Sequence, residues 1–278
     1  MIHLDDVAAL RCARCRDPVR FEGHARDGWL EDGALRCQGC GIGWPVREGW
    51  ARLYTPAEVR GADRLMNVIY DRLAPLHDPM VKVALPVCGT GTERQLREAY
   101  LPRLALDDLP TDRPARILEV GVGTGANIPL LRAALRGRPA EIWGVDLARG
   151  MARICRHRAG AWPELRLALA DAHALPFPDQ SFDRVFHVGA TNNYRDPAAA
   201  LREMARVARP GTPIVVVDER LDPHGRHSLL HRAAFRAVCF YNPYPDDPRA
   251  AVPAGAAVVD EQVARFFYCL TFRQPASG

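Results

Sequence analysis

Residues 116–130, RILEVGVGTGANIPL, constrain the chain more tightly than any other stretch. A short apolar run ends in the acidic Glu119, glycines stand at Gly121, Gly123 and Gly125, and a helical pattern follows. That order describes a strand, a tight turn and the start of a helix. Glycine lets the backbone take positive φ and lets a ligand approach the main chain without meeting a Cβ. The free N–H groups of a helix start favour an oxygen-rich or anionic partner. The turn therefore suits a nucleotide-like cofactor. GVGTGA alone leaves its identity open, because the letters satisfy both a GxGxG pattern and the GxGxxG/A dinucleotide fingerprint.

From Pro114 onward, strands alternate with helical patterns, which predicts a parallel sheet with helices on both faces. The strands are ARILEV, EIWGVDL ending in Asp146, LRLALA closing on Asp171-Ala172, RVFHVGA and PIVVVDE. Helices are expected over residues 126–135, with Gly137 as C-cap, over ARGMARICRHR, and over PAAALREMARVA before Pro210-Gly211. Residues 228–238 read as a further helix and 241–247 as a Pro-rich loop. VVDEQVARFFYCLTFRQ alternates like two closing strands.

The beginning of the chain follows a different logic. Cys12-Ala-Arg-Cys15 and Cys37-Gln-Gly-Cys40 are two C-x2-C pairs separated by a polar, glycine-bearing stretch. Two such knuckles present four thiolates, the closed tetrahedral set of a structural Zn²⁺. A module of this size has too little core to fold without a staple, so metal binding and folding are expected to be coupled. The N-terminus lacks the basic and apolar regions of a signal peptide, and no run is long enough to cross a bilayer, so a cytoplasmic protein is expected. In such a reducing compartment cysteines serve as metal ligands or buried thiols rather than disulfides.

The net charge of +4 decides little: Lys82 is the sole lysine, and acids are interspersed with the arginines. Within residues 11–54, eight arginines face six acids, and four thiolates on one Zn²⁺ would bring the balance to zero. A phosphate-gripping module would normally carry a positive excess. Residues 57–108 carry helical patterns, a lead-in placed to cover a cofactor, with Tyr70, Asp71 and His77 as candidate pocket residues. Packing alone is an equal reading of Tyr70 and His77. Val87-Cys88-Gly89-Thr90-Gly91 lacks a preceding acidic strand end and reads as a loop.

Four features now discriminate the cofactor. Glu119 completes E-x-G-x-G-x-G, and Asp146 ends the second strand. DAHALPF followed by SFD, at residues 171–177 and 181–183, resembles the DAxxLPF...SFD segment of class I S-adenosylmethionine-dependent methyltransferases. RVARPG, at 206–211, resembles their RVLRPGG helix end. The resemblance covers residues 117–218 and is greatest to the ubiquinone/menaquinone biosynthesis type. The cysteine-bearing segment, with Trp44-Pro45-Val46 and Gly49, resembles the zinc ribbons of the tRNA and protein methyltransferase activator family. A comparable ribbon of the rRNA guanine methyltransferases ends in a histidine, where this one ends in Cys40.

These resemblances imply a class I, Rossmann-like α/β fold with a parallel sheet, a terminal antiparallel hairpin and a small four-cysteine ribbon. They divide the chain into a ribbon (1–55), a helical cover (56–112) and a cofactor-binding domain (113–278). They imply that Glu119, Gly121, Gly123 and Gly125 hold the methionine portion of S-adenosylmethionine, Asp146 the ribose, and Met151, Asp171 and Ala172 the adenine. After the fourth strand, His187, Asn192 and Tyr194 are the candidate catalytic residues, with Glu219 at the same sheet edge; His187 also reads as a core histidine. The expected activity is methylation of a small or medium metabolite. The alternatives are an RNA methyltransferase that uses the ribbon, or a cofactor-binding partner subunit without turnover. Acceptor and oligomeric state stay open.

Overall fold

The structure, a computed structural model, describes residues 1–87, 91–189, 191–240, 242 and 245–275. Cys88 to Thr90, expected as part of a loop, lie outside the described residues, as do Tyr241, Pro243 and Tyr244 of the expected Pro-rich loop. The ribbon supplies β1 (Val19–Arg26), β2 (Trp29–Cys37), β3 (Gly43–Arg47) and β4 (Trp50–Leu53). Two helices follow, α1 (Gly61–Val87) and α2 (Glu93–Tyr100). The nucleotide-type fold then runs through β5 (Ala115–Val120), α3 (Ile128–Leu135), β6 (Ala140–Asp146), α4 (Arg149–Arg158) and β7 (Leu165–Ala170). It continues with β8 (Arg184–Val188), α5 (Pro197–Val207), β9 (Ile214–Glu219) and α6 (Leu229–Val238), and closes with β10 (Ala257–Ala264) and β11 (Phe267–Arg273).

The sheet order is β1-β2-β3-β4-β7-β6-β5-β8-β9-β11-β10. Strands β7, β6, β5, β8 and β9 pair in parallel, and β11 runs antiparallel to β9. The parallel strands are buried on both faces, which is why β5, β7 and β9 read as nearly continuous apolar runs. The sheet order reverses at β5, and the carboxyl ends of β5, β6 and β8 open there, the place where ligands collect in such folds.

The ribbon is joined to this sheet more intimately than a separate module would be. Strand β4 pairs in parallel with β7, Arg52 opposite Leu169 and Leu53 opposite Ala170. Leu30, Leu35, Val46 and Leu53 share one apolar core with Leu118, Val120, Val145 and Tyr268. Arg16 reaches Glu203 on α5 at 2.9 Å. The reason is physical: β7 would otherwise present an unpaired edge, and β4 covers it while the ribbon gains a core that it is too small to build alone.

Motif residues that look functional turn out to hold this frame. Asp183 accepts from the Arg116 N–H and from the Arg113 guanidinium, each at 2.8 Å, and so clamps the start of β5. Phe177 packs edge-on to Phe182 and Trp143. Arg206 and the Leu175 N–H both bond to Glu203. Helix α1 continues through Pro75, Pro79 and Pro86, all of them on its exposed side, where water can satisfy the carbonyls that proline leaves unbonded.

Candidate active site

A cavity of about 290 Å³ lies at the carboxyl ends of the parallel strands, roofed by α1, with Val238 at the end of α6 on its side. The glycine turn forms its floor. Gly121 and Gly123 have φ of 69° and 55°, and both line the cavity. Gly125 does not reach it. A Cβ there would stand 2.6 Å from the Cys155 sulfur, so Gly125 serves the close packing of the turn on α4.

Asp146, at the end of β6, accepts from the Gly123 N–H at 2.8 Å and from the Ala148 N–H at 2.7 Å. It thereby fixes the turn against the next strand while lining the cavity. Burial raises its pKa, and those two N–H groups oppose the shift. Met151, Asp171 and Ala172 also line the cavity. Asp171 bonds to the His173 ring at 2.6 Å and to Arg195 at 2.7 Å, and Arg195 also holds Asp63 on α1. Burial alone would raise the Asp171 pKa, but these partners outweigh it and hold the carboxyl at about 2.

Glu119 differs from its expected place on the wall. It stands behind Asn127, whose amide donates to it, and Asn127 in turn accepts from the Tyr100 hydroxyl at 2.6 Å. The cavity wall here is Asn127 and Arg97, the latter paired with Glu93 at 2.6 Å. Glu119 is fully buried, and its second oxygen has no hydrogen-bond partner among the described residues. Burial pushes its pKa up to about 8, with Asn127 and Arg97 opposing. Asn127 stands between this buried carboxyl and the cavity, so Glu119 acts on a ligand there only by holding the Asn127 amide.

The acceptor side also departs from expectation. His187 is fully buried and does not line the cavity. Its Nδ1 lies 2.7 Å from the Val120 carbonyl, which can only accept, so Nδ1 carries the proton. Burial lowers its pKa to about 4. Its unprotonated Nε2 is buried, without a hydrogen-bond partner among the described residues, and does not reach the cavity to serve as a base for a substrate there. The ring steadies Tyr194, whose hydroxyl lies 3.3 Å from the same Nδ1 and can accept from it, keeping its own proton for donation. Tyr194 does line the cavity, with Tyr70, His77 and Glu219.

Asn192 points elsewhere, its N–H to Asp218 and its amide to the Glu219 carbonyl, each closing the end of β9. The next residue, Asn193, faces the cavity instead. Neither of its amide atoms makes a hydrogen bond of normal geometry among the described residues, although the group still acts on the Tyr70 hydroxyl. Asp71 is likewise off the wall and accepts from the Gly150 N–H. Sequence reasoning missed Arg97, Asn127, His173, Arg195 and Asn193. An available signal was the i,i+4 pairing of Glu93 with Arg97 on the cover.

Residues 118–216 match the family model described as a methyltransferase domain. The chain has the class I, Rossmann-like methyltransferase fold. Over 137 residues it is 39% identical to a demethylmenaquinone methyltransferase of Thermus thermophilus, covering 49% of this chain and 61% of that protein. Over 119 residues it is 46% identical to a malonyl-[acyl-carrier protein] O-methyltransferase of Halorhodospira halophila, covering 42% and 38%. The chain thus spans less than two thirds of the length of these curated relatives. Among solved structures, phosphoethanolamine N-methyltransferase 2 of Haemonchus contortus with S-adenosyl-L-methionine aligns with a TM-score of 0.52 at 15% identity, covering 74% of this chain and 60% of that one. The [4+2]-cyclase SpnF aligns with a TM-score of 0.52 at 19% identity, covering 79% and 98%. At such identities the likeness shows the fold, and the cyclase is a reminder that fold and chemistry are separate matters.

A second cluster lies in the ribbon. The sulfurs of Cys12, Cys15, Cys37 and Cys40 all lie within 4.8 Å of one another. Cys12 and Cys40 are 3.8 Å apart, and Cys15 and Cys37 are 3.3 Å apart. Zn–S bonds of ~2.3 Å in a tetrahedron place sulfurs roughly 3.8 Å apart, whereas a disulfide needs about 2.05 Å. The Trp44 indole donates to Cys12 and the Cys40 N–H to Cys37, each at 3.4 Å. Such donors stabilise thiolates, and the set fits a closed structural metal site.

Proposed function

We propose that this chain is an S-adenosylmethionine-dependent methyltransferase acting on a small or medium, largely apolar metabolite, with a structural zinc in its ribbon. One observation carries the reading: a single cavity joins the glycine turn, Asp146 and Met151 to Tyr70, Asn193, Tyr194 and Glu219. Donor and acceptor held in one enclosure are what transfer requires. When bound, S-adenosylmethionine supplies an electrophilic methyl group, so positioning and water exclusion account for much of the rate.

The residues divide accordingly. Asp146 takes the ribose hydroxyls, Met151 and Ala172 pack on the adenine, and Asp171 accepts from its amino group. Glu119 through Asn127 takes the ammonium end of the methionine, and Arg97 its carboxylate. Tyr194 orients the acceptor by donating its hydroxyl proton, while Glu219 is the carboxylate placed to receive a proton where the acceptor must lose one. Apolar walls at Met66, Val188, Val238 and Phe267 favour an apolar acceptor over a charged polymer.

The ribbon's charge supports the same choice. Arg20 and Arg36 pair with Glu22, each at 2.7 Å, and Arg26 pairs with Glu31 at 3.2 Å. Their charge is spent on carboxylates of the ribbon rather than displayed to phosphate. The relatives are named for demethylmenaquinone and for an O-methylated malonyl carrier, so likeness does not choose the accepting atom. The test is transfer of a labelled methyl group to a panel holding a demethylated quinol, a carboxyl-bearing thioester, a lipid amine and total RNA. Labelling of a small acceptor is expected; labelling of RNA alone would overturn the reading.

A further inference from the structure

Helix α1 is apolar on two sides. One side, with Met66, Tyr70 and Val81, lines the cavity. The other faces outward: Leu65, Leu76, Met80 and Val83 recur at helical spacing and are 54%, 55%, 60% and 65% exposed. A surface helix normally has one apolar stripe, and the second calls for a partner. Helix α6 repeats the arrangement, with Leu229 and Leu230 at its start 87% and 76% exposed and Phe240 just beyond its end. The two helices meet at the same cavity, through Leu85 and Val238.

The exposed charges beside these stripes are mostly positive, Asp71 on α1 being the exception. Arg64, Arg72 and Lys82 are exposed on α1, and none forms a salt bridge among the described residues. Arg226, Arg232 and Arg236 accompany α6, and residues 223–245 contain no acid. A second copy of the chain seated across a two-fold axis would bring these arginines against each other, which disfavours that occupant. Among the described residues no helix is long and apolar enough to cross a membrane, and leucines projecting from a helix flanked by arginines then suit a helix lying in a membrane interface.

We propose that the outward faces of α1 and α6 dock this protein on an anionic lipid surface, setting the helical wall of the cavity against the bilayer. Docking goes beyond the methyltransferase reading and can be tested without an acceptor. The full chain is mixed with vesicles of phosphatidylcholine, alone or with about one third phosphatidylglycerol, and sedimented across a salt series. Binding to the anionic vesicles that weakens with salt is expected. Leu229→Ser/Leu230→Ser and, separately, Leu76→Ser/Met80→Ser should each weaken it roughly tenfold or more, the loss expected from two apolar side chains that no longer enter lipid. Circular dichroism and thermal midpoint report whether each variant is folded. These positions lie outside the cavity wall, so methyl transfer to a water-soluble acceptor should be unchanged. Absence of wild-type binding would overturn the proposal, as would folded variants that both bind as well as wild type. A dimer in sedimentation velocity that both double variants dissolve would also overturn it, in favour of self-association.

Discussion

Burying a carboxylate is costly, and at Glu119 the opposing Asn127 and Arg97 do not offset it: burial raises the pKa from 4.5 to about 8. The folded state therefore keeps a proton that the unfolded state gives up, so stability falls as pH rises from about 5 to 8. Glu119→Gln retains the acceptor for Asn127 without that titration. It should flatten the decline and gain on the order of 1–3 kcal/mol at pH 8, measured by denaturant melts across pH. Cofactor affinity should change little in the same variant, because Asn127 stands between residue 119 and the cavity and keeps its acceptor. Tyr194→Phe should lower kcat by about 100-fold while leaving cofactor affinity intact, the split expected of a donor to the acceptor. Equal loss in kcat and cofactor binding would return Tyr194 to packing. That Asp146, Asp171 and Ala172 line the cavity follows from their places at or just beyond strand carboxyl ends, and Met151 joins them from the first turn of α4. His187 and Asn192 do not line it, because facing is decided residue by residue: Asn193 reaches the cavity and Asn192 turns to β9. Arg97, Asn127 and Arg195 arrive by tertiary contact, which no local pattern announces.

The cover helix is where an element becomes part of the site. Asp78 on α1 accepts from Thr124 of the glycine turn at 2.9 Å and pairs with Arg158 of α4 at 2.6 Å. The Asp71 carbonyl lies so close to Gly150 that an added Cβ would stand 2.2 Å from it. Glycine at a helix start is normally improved by alanine, by up to about 1 kcal/mol. Here Gly150→Ala should instead destabilise by about 1–3 kcal/mol, because α1 must lift from α4. Hydrogen exchange over residues 61–87 should quicken with it, and stabilisation by alanine would show that the two helices are not in contact. The lead-in's helices were readable from periodicity. Their role as a roof was only an expectation of the resemblance, since periodicity gives an apolar face and does not say what it covers.

At the scale of the molecule, the ribbon and the methyltransferase domain share one sheet and one core. Removing the metal should therefore reach beyond the ribbon. Elemental analysis should find a single zinc per chain, and chelation or Cys37→Ser should lower the midpoint of one cooperative transition rather than split it in two. A ribbon that melts alone, with the rest unperturbed, would contradict the shared core. Strand order along residues 113–278 was readable from alternation and glycine turns. The seam between β4 and β7 was not, because Trp50–Leu53 carries no signal naming the edge it will cover. The central claim is that the glycine-floored cavity binds S-adenosylmethionine through Asp146. Titration calorimetry tests it most directly: wild type should bind one S-adenosylmethionine per chain, and Asp146→Ala should lose on the order of 2–4 kcal/mol of that affinity. No binding by wild type, or equal binding by the two proteins, would contradict it.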